Sequence, residues 1–158
     1  MSSNYPKRRK TNDELFTESS PAISPENSLI NQKPVHTFYL GCLAQASYCV
    51  HDDGNAFIID PRRDVEPYIL WLKERNLKLK AVLLTHIHAD FVSGHLELSQ
   101  KLKCPIFAGA NTGALFPHYP VADGEIFKVS KNYYFKALHT PGHTLGDISW
   151  LLHRGDPQ

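Results

Sequence analysis

Three imidazoles and a carboxylate stand within the eleven residues Thr85-His86-Ile87-His88-Ala89-Asp90-Phe91-Val92-Ser93-Gly94-His95, directly after the apolar run Ala81-Val82-Leu83-Leu84. Neutral imidazole is the commonest protein ligand for borderline metals, and a carboxylate alongside suits zinc, iron or manganese. His86 and His88 are two apart, so on an extended or loop backbone both can turn to the same side. Any one histidine at a strand end is most simply a solvated loop residue. Four candidate donors at this density point to a metal. A second loop, His139-Thr140-Pro141-Gly142-His143-Thr144, holds two further imidazoles.

The elements that must position these loops follow from pattern and punctuation. Residues 80–84 read as a short apolar strand covered on both faces, so the first donor loop emerges at the carboxyl end of a buried strand, where α/β sheets usually place their sites. Upstream, residues 36–40, 46–50 and 56–59 read as strands of an antiparallel meander, with Asp52-Asp53-Gly54-Asn55 supplying turn chemistry. After Asp64 the chain turns helical to about Asn76, with Val65, Tyr68, Ile69, Trp71 and Leu72 on a broad apolar face. Residues 94–102 form a second helix stopped at Lys103-Cys104-Pro105. Residues 106–108 are a short strand, and 111–123 read as loop with at most one helical turn. Strands at 125–129 and 133–138 flank a Ser130-Lys131-Asn132 turn, the second delivering His139 to His143. Residues 147–152 are the last strand, with Arg154-Gly155-Asp156-Pro157 as a turn after it.

A chain of 158 residues, 42% hydrophobic and 11% aromatic, has enough apolar material for one soluble domain. Its formal charge of +1, from 17 basic and 16 acidic residues, gives no reason to expect nucleic acid or an anionic membrane as partner. No apolar run approaches a membrane span or a secretory signal, so a cytoplasmic location is expected, with a mitochondrial one left open. Residues 1–34 are poor in large apolar groups and read as a disordered tail, in which Lys7-Arg8-Arg9-Lys10 is plain solvated charge. Cys42, Cys49 and Cys104 contain no C-x-x-C pair and read as reduced structural thiols.

The order of meander, helix, strand and donor loop, with Thr85 to Asp90 as T-H-x-H-x-D and Thr140 to Thr144 as T-P-G-H-T, resembles the metallo-β-lactamase superfamily over residues 35–158. The resemblance implies an α/β fold, the N-terminal half of a four-layer αβ/βα sandwich. Thr85 to Phe91, together with Phe38-Tyr39-Leu40-Gly41-Cys42-Leu43-Ala44 and Ile59-Asp60-Pro61-Arg62-Arg63-Asp64, is most similar to its persulfide dioxygenase branch, some bacterial members of which are fused to rhodanese domains. Such enzymes oxidise glutathione persulfide with molecular oxygen to sulfite and glutathione at a single Fe(II).

That likeness implies His86 and His143 as iron ligands, with an aspartate of a T-G-D segment that this sequence does not contain. It implies His88 and Asp90 as residues that orient the ligands and hold water, and a small-molecule thiol persulfide as substrate. Asp156 lies too close behind His143 to take the aspartate's place. Binuclear hydrolases of the glyoxalase II type carry a histidine directly after the motif's aspartate, where Phe91 stands here, which favours one metal over two. A thioester hydrolase of that type and a catalytically inactive metal-binding fragment are the alternatives, zinc is the alternative metal, and a homo-oligomer is left open. Asp60 reads most plainly as a turn-capping residue before proline, with a ligand-orienting role like that of His88 and Asp90 as its alternative, His139 as a strand-end residue, and His36, His51, His118 and His153 as surface or turn residues. His95 lies too far along its helix to be assumed a ligand.

Overall fold

The computed structural model describes residues 33–41 and 45–155. Most of the expected tail, Cys42 and Asp156 therefore lie outside the described residues.

Strands β1 (Val35–Leu40), β2 (Gln45–Asp52) and β3 (Asn55–Ile59) form the expected antiparallel meander. Asp53 and Gly54, both at positive φ, close the β2–β3 hairpin, the backbone a two-residue turn of this hand requires. Helix α1 (Glu66–Glu74) follows, with Pro67 in its first turn and Asn76 in the left-handed region just beyond its end. Then come β4 (Lys78–Leu83), α2 (His95–Leu102), β5 (Ile106–Gly109) and β6 (Tyr119–Val121). These strands make one sheet in the order β1-β2-β3-β4-β5-β6, parallel from β3 onward. Strands β7 (Ile126–Lys128), β8 (Tyr133–His139) and β9 (Ile148–Arg154) make a second, antiparallel sheet.

The period-two alternation of the central strands sorts the core into layers. Ala56, Ile58, Val82 and Leu84 pack with Tyr68, Trp71 and Leu72 of α1 and Leu98 of α2. Their neighbours Phe57, Ile59, Ala81 and Leu83 face the other way, onto Val129 and Phe135 of the second sheet. Strands covered on both faces read as continuous apolar runs, which is why residues 81–84 carry no polar alternation. The result is a helix, sheet, sheet sandwich of the α/β class. No helix among the described residues is long and apolar enough to cross a membrane.

Three expectations are corrected. The segment 111–123, expected as loop with a helical turn, contains β6, which pairs parallel with β5 through Ala108 and Pro120. Proline has no N–H to donate to a ladder, and β6 tolerates it as the edge of its sheet. The last strand runs on to Arg154, which therefore pairs with Tyr133 and does not open a turn. His36, His51 and His153 are half-buried strand residues, not surface or turn residues. His153 stacks on Tyr134 with ring centroids 4.8 Å apart. His118 alone of that group lies in a connection, just before β6. The two described cysteines, Cys49 and Cys104, are buried and free as expected, and burial pushes their thiols up to about 12 and about 11. Neither is a thiolate at neutral pH.

His36 stacks on Trp71 at 4.6 Å, His51 meets the same indole edge-on at 5.2 Å, and the Arg75 guanidinium lies 4.5 Å above it. Burial first, then neighbouring positive charge, holds both imidazoles below their ordinary value. A base whose folded pKa is depressed favours the unfolded chain once it can protonate there. Its contribution to stability is therefore complete above ~6.5 and is lost as pH falls towards the folded value. The urea midpoint followed by tryptophan fluorescence is expected to fall between pH 7.5 and 5.5, and to fall less steeply in the double variant His36→Gln, His51→Gln. An equally steep fall in that variant would refute the assignment.

Candidate metal centre

The two donor loops meet because the two sheets are joined at their ends. The Ile148 N–H of β9 donates to the Thr85 carbonyl at 2.8 Å, and the Trp150 indole N–H donates to the Leu84 carbonyl at 3.1 Å. Gly109 at the end of β5 packs so closely on the second loop that a Cβ there would lie 2.2 Å from the Gly146 carbonyl oxygen. These contacts set His143 against His86, with ring centroids 4.9 Å apart, and His88 lies 4.1 Å from His86 on the other side. Residues separated by 57 positions in the chain thus share one cluster with the expected pair His86 and His88.

Asp60 is the residue the sequence undersold. It ends β3 in the left-handed region, is only 8% exposed, and does not cap its own turn. Its Oδ1 accepts the Thr85 backbone N–H at 2.9 Å and its Oδ2 accepts the Thr85 hydroxyl at 2.7 Å. The Thr85 oxygen also lies 2.9 Å from His86 Nδ1. A hydroxyl has one proton, and with that proton given to the carboxylate its oxygen can only accept. His86 Nδ1 must then carry the hydrogen, which leaves the lone pair on Nε2 free for a metal. Asp60 therefore selects the tautomer of His86 from across the sheet.

His88 Nε2 lies 3.3 Å from Asp60 Oδ1 but is not aligned as a hydrogen bond, and it is buried without a partner. Asp90 reaches only 3.9 Å from His88 Nδ1, with its side chain 83% exposed, so it stands at the rim. Phe91 packs against His88 with ring centroids 4.3 Å apart. His95, first residue of α2, lies against Phe116 at 4.4 Å, and neither of its buried ring nitrogens has a partner. It shares a cavity of about 240 Å³ with His86, His88 and Phe91. His139 ends β8 as expected, its Nε2 at 3.0 Å from the Val121 carbonyl and away from the cluster.

In the second loop Asp147 accepts from the Thr144 N–H and hydroxyl, and the Thr144 bonds hold its carboxyl below the usual range. This Asp147 brace of the His143 loop was not foreseen; a hydroxyl three residues before a carboxylate was the available signal. Burial, then the charge of His88, holds His86 below the ordinary imidazole value, while Asp60 and Asp147 oppose the shift. Neutral imidazole is the form that ligates. Among the described residues no group of three or more His, Cys, Asp or Glu side chains stands placed to hold a metal ion. The rings of His88 and His143 each lie beside that of His86, and imidazole is a donor type that suits a borderline cation such as zinc or iron.

Residues 40–155 match the model of the metallo-β-lactamase superfamily. The chain is 34% identical over 114 residues to a hydroxyacylglutathione hydrolase of Methylobacillus flagellatus, covering 69% of this chain and 45% of that protein. It is 36% identical over 96 residues to the hydroxyacylglutathione hydrolase of Halorhodospira halophila, covering 61% and 37%. The chain thus spans less than half the length of these relatives. Among solved structures it is similar to a metallo-β-lactamase from Staphylococcus aureus, at 37% identity and a TM-score of 0.69 over 75% of this chain and 38% of that one. It is also similar to ETHE1 from Myxococcus xanthus, at 28% identity and a TM-score of 0.69 over 75% and 53%. The curated relatives bear the name of the thioester-hydrolase alternative and not of the persulfide dioxygenase first expected. With the helix, sheet, sheet core, the two joined donor loops and a family match over most of its length, this chain belongs to the metallo-β-lactamase superfamily, whose members bind metal ions, usually zinc or iron.

Proposed function

We propose that this chain carries the metal-binding edge of an enzyme acting at the sulfur end of a glutathione conjugate, with hydrolysis of a hydroxyacylglutathione thioester as its reaction. The observation that carries the reading is the joined pair of loops: His86, His88 and His143 draw together in a chain that is 34% identical over 114 residues to a hydroxyacylglutathione hydrolase. His86, His88 and His143 would hold the ion through their ring nitrogens, with Asp60 and Asp147 keeping the first and last of them oriented. A bound zinc or iron ion would polarise the acyl carbonyl and lower the pKa of bound water. Phe91 and Ile87 line the cavity beside the imidazoles.

A second reading, oxygenation of glutathione persulfide at one iron, is favoured by Phe91. Its ring packs on His88 and has no lone pair to offer a second ion. The two readings part on metal count and turnover. For the protein containing this chain, two equivalents of zinc and thioester cleavage followed by absorbance support hydrolysis. One equivalent of iron and oxygen uptake with glutathione persulfide would replace it with the second reading, and turnover of neither substrate would sink both.

A further inference from the structure

A second cleft, of about 620 Å³, lies beside the imidazole cluster and shares Phe91 and Val92 with the smaller cavity as a common wall. We propose that it holds the α-amino-acid end of the thiol substrate, with the substrate carboxylate on the guanidinium of Arg62. The inference rests on the reading that the substrate is a glutathione conjugate, whose γ-glutamyl end carries a carboxylate and an ammonium.

Arg62 follows the Asp60-Pro61 corner, and its backbone is fixed from three sides. Its N–H donates to the Tyr68 hydroxyl at 3.0 Å, it forms a β-bridge with Ser93, and its carbonyl oxygen sits so near Gly94 that a Cβ there would meet it at 2.3 Å. From this anchored point Arg62 lines the cleft. Its Nε is buried with no hydrogen-bond partner. Arg62 is a permanent cation, and a carboxylate suits it better than water because the planar fork offers parallel N–H groups.

The rest of the lining decides which anion. Arg63 adds a second positive charge, Asp64 and Asp90 stand at the same cleft, and so does Glu97, which is paired with Lys101 at 2.9 Å. A simple dianion would be repelled by these carboxylates, whereas a zwitterion meets both signs. Leu40, Phe91 and Val92 supply the apolar wall along which the ligand's stem would run towards the imidazoles. The volume is within the usual range for a small-ligand site.

The test is binding of S-methylglutathione to the metal-free 158-residue chain, followed by calorimetry and by backbone amide shifts. Arg62→Gln is expected to weaken binding roughly tenfold or more. Arg62→Lys, which keeps the charge and loses the fork, should recover only part of it. S-methylglutathione diethyl ester should bind as weakly to the unaltered chain as the free acid does to Arg62→Gln, and the N-acetyl derivative should bind more weakly than the free amine. An unchanged thermal midpoint in Arg62→Lys separates lost contacts from lost fold. Equal affinity of the free acid for Arg62→Gln and the unaltered chain, or no binding to the unaltered chain, overturns the inference. Arg62-dependent binding without turnover of either proposed substrate by the protein containing this chain leaves the inference standing and removes the functional reading. Turnover with a KM indifferent to Arg62→Gln does the reverse.

Discussion

The variant Asp60→Asn is expected to fold yet lose about ten- to a hundredfold in metal affinity. The carboxylate accepts twice from Thr85, and an amide of the same shape can accept only through its oxygen. Its NH2 group would donate to the Thr85 hydroxyl oxygen, and the threonine proton would turn to His86 Nδ1. That moves the imidazole hydrogen to Nε2, the nitrogen that must ligate. Long-range nitrogen-proton spectra of the metal-free chain report the tautomer directly: Nδ1–H in the unaltered protein, Nε2–H in the variant. Asp60→Ala goes further, leaving the Thr85 N–H and hydroxyl without acceptors, and should lower the free energy of unfolding by roughly 3 to 5 kcal/mol. If Asp60→Asn retains the Nδ1–H form and full metal affinity, the relay from Asp60 through Thr85 is not what orients His86.

Gly109→Ala is expected to cost about 3 kcal/mol and to detach the His143 loop from the cluster. The added methyl would meet backbone, the Gly146 carbonyl at 2.2 Å, and no rotamer change can relieve that. The loop itself would have to move, and Gly146 in turn is pressed on Thr112, where a Cβ would lie 2.7 Å from the Thr112 Cα. Gly142 in the same loop has nothing within 4 Å of its Cβ position, so Gly142→Ala should leave stability within about 0.5 kcal/mol. Urea midpoints for the pair check this, and equal midpoints would mean that β5 does not brace the loop.

What was legible in the sequence was mostly what short range determines. The run 81–84 declared a strand buried on both faces, the spacing of His86 and His88 placed two donors on one loop, and Asp53-Gly54 declared its hairpin. The gathering of His143 with His86 was foreseen through the family likeness and not through spacing, because the joining bonds from Ile148 and Trp150 cross between sheets. Asp60 looked like a corner before proline because its partner, Thr85, lies 25 residues away. β6 was missed because three residues including Pro120 carry no strand pattern, and only the edge of β5 makes them one. His36, His51 and His153 were assigned outside the strands because polarity was read as exposure. His36 and His153 instead stack flat on Trp71 and Tyr134, and His51 meets Trp71 edge-on.

His86, His88 and His143 are proposed to hold one metal ion between the two loops. Zinc can be titrated into the 158-residue chain while the ring nitrogens of all nine histidines are followed. The signals of His86, His88 and His143 are expected to shift together and reach their end points at the same zinc concentration, while those of His36, His51, His118 and His153 stay in place. Shifts at the latter group, or a His143 signal that does not move with His86, would contradict it.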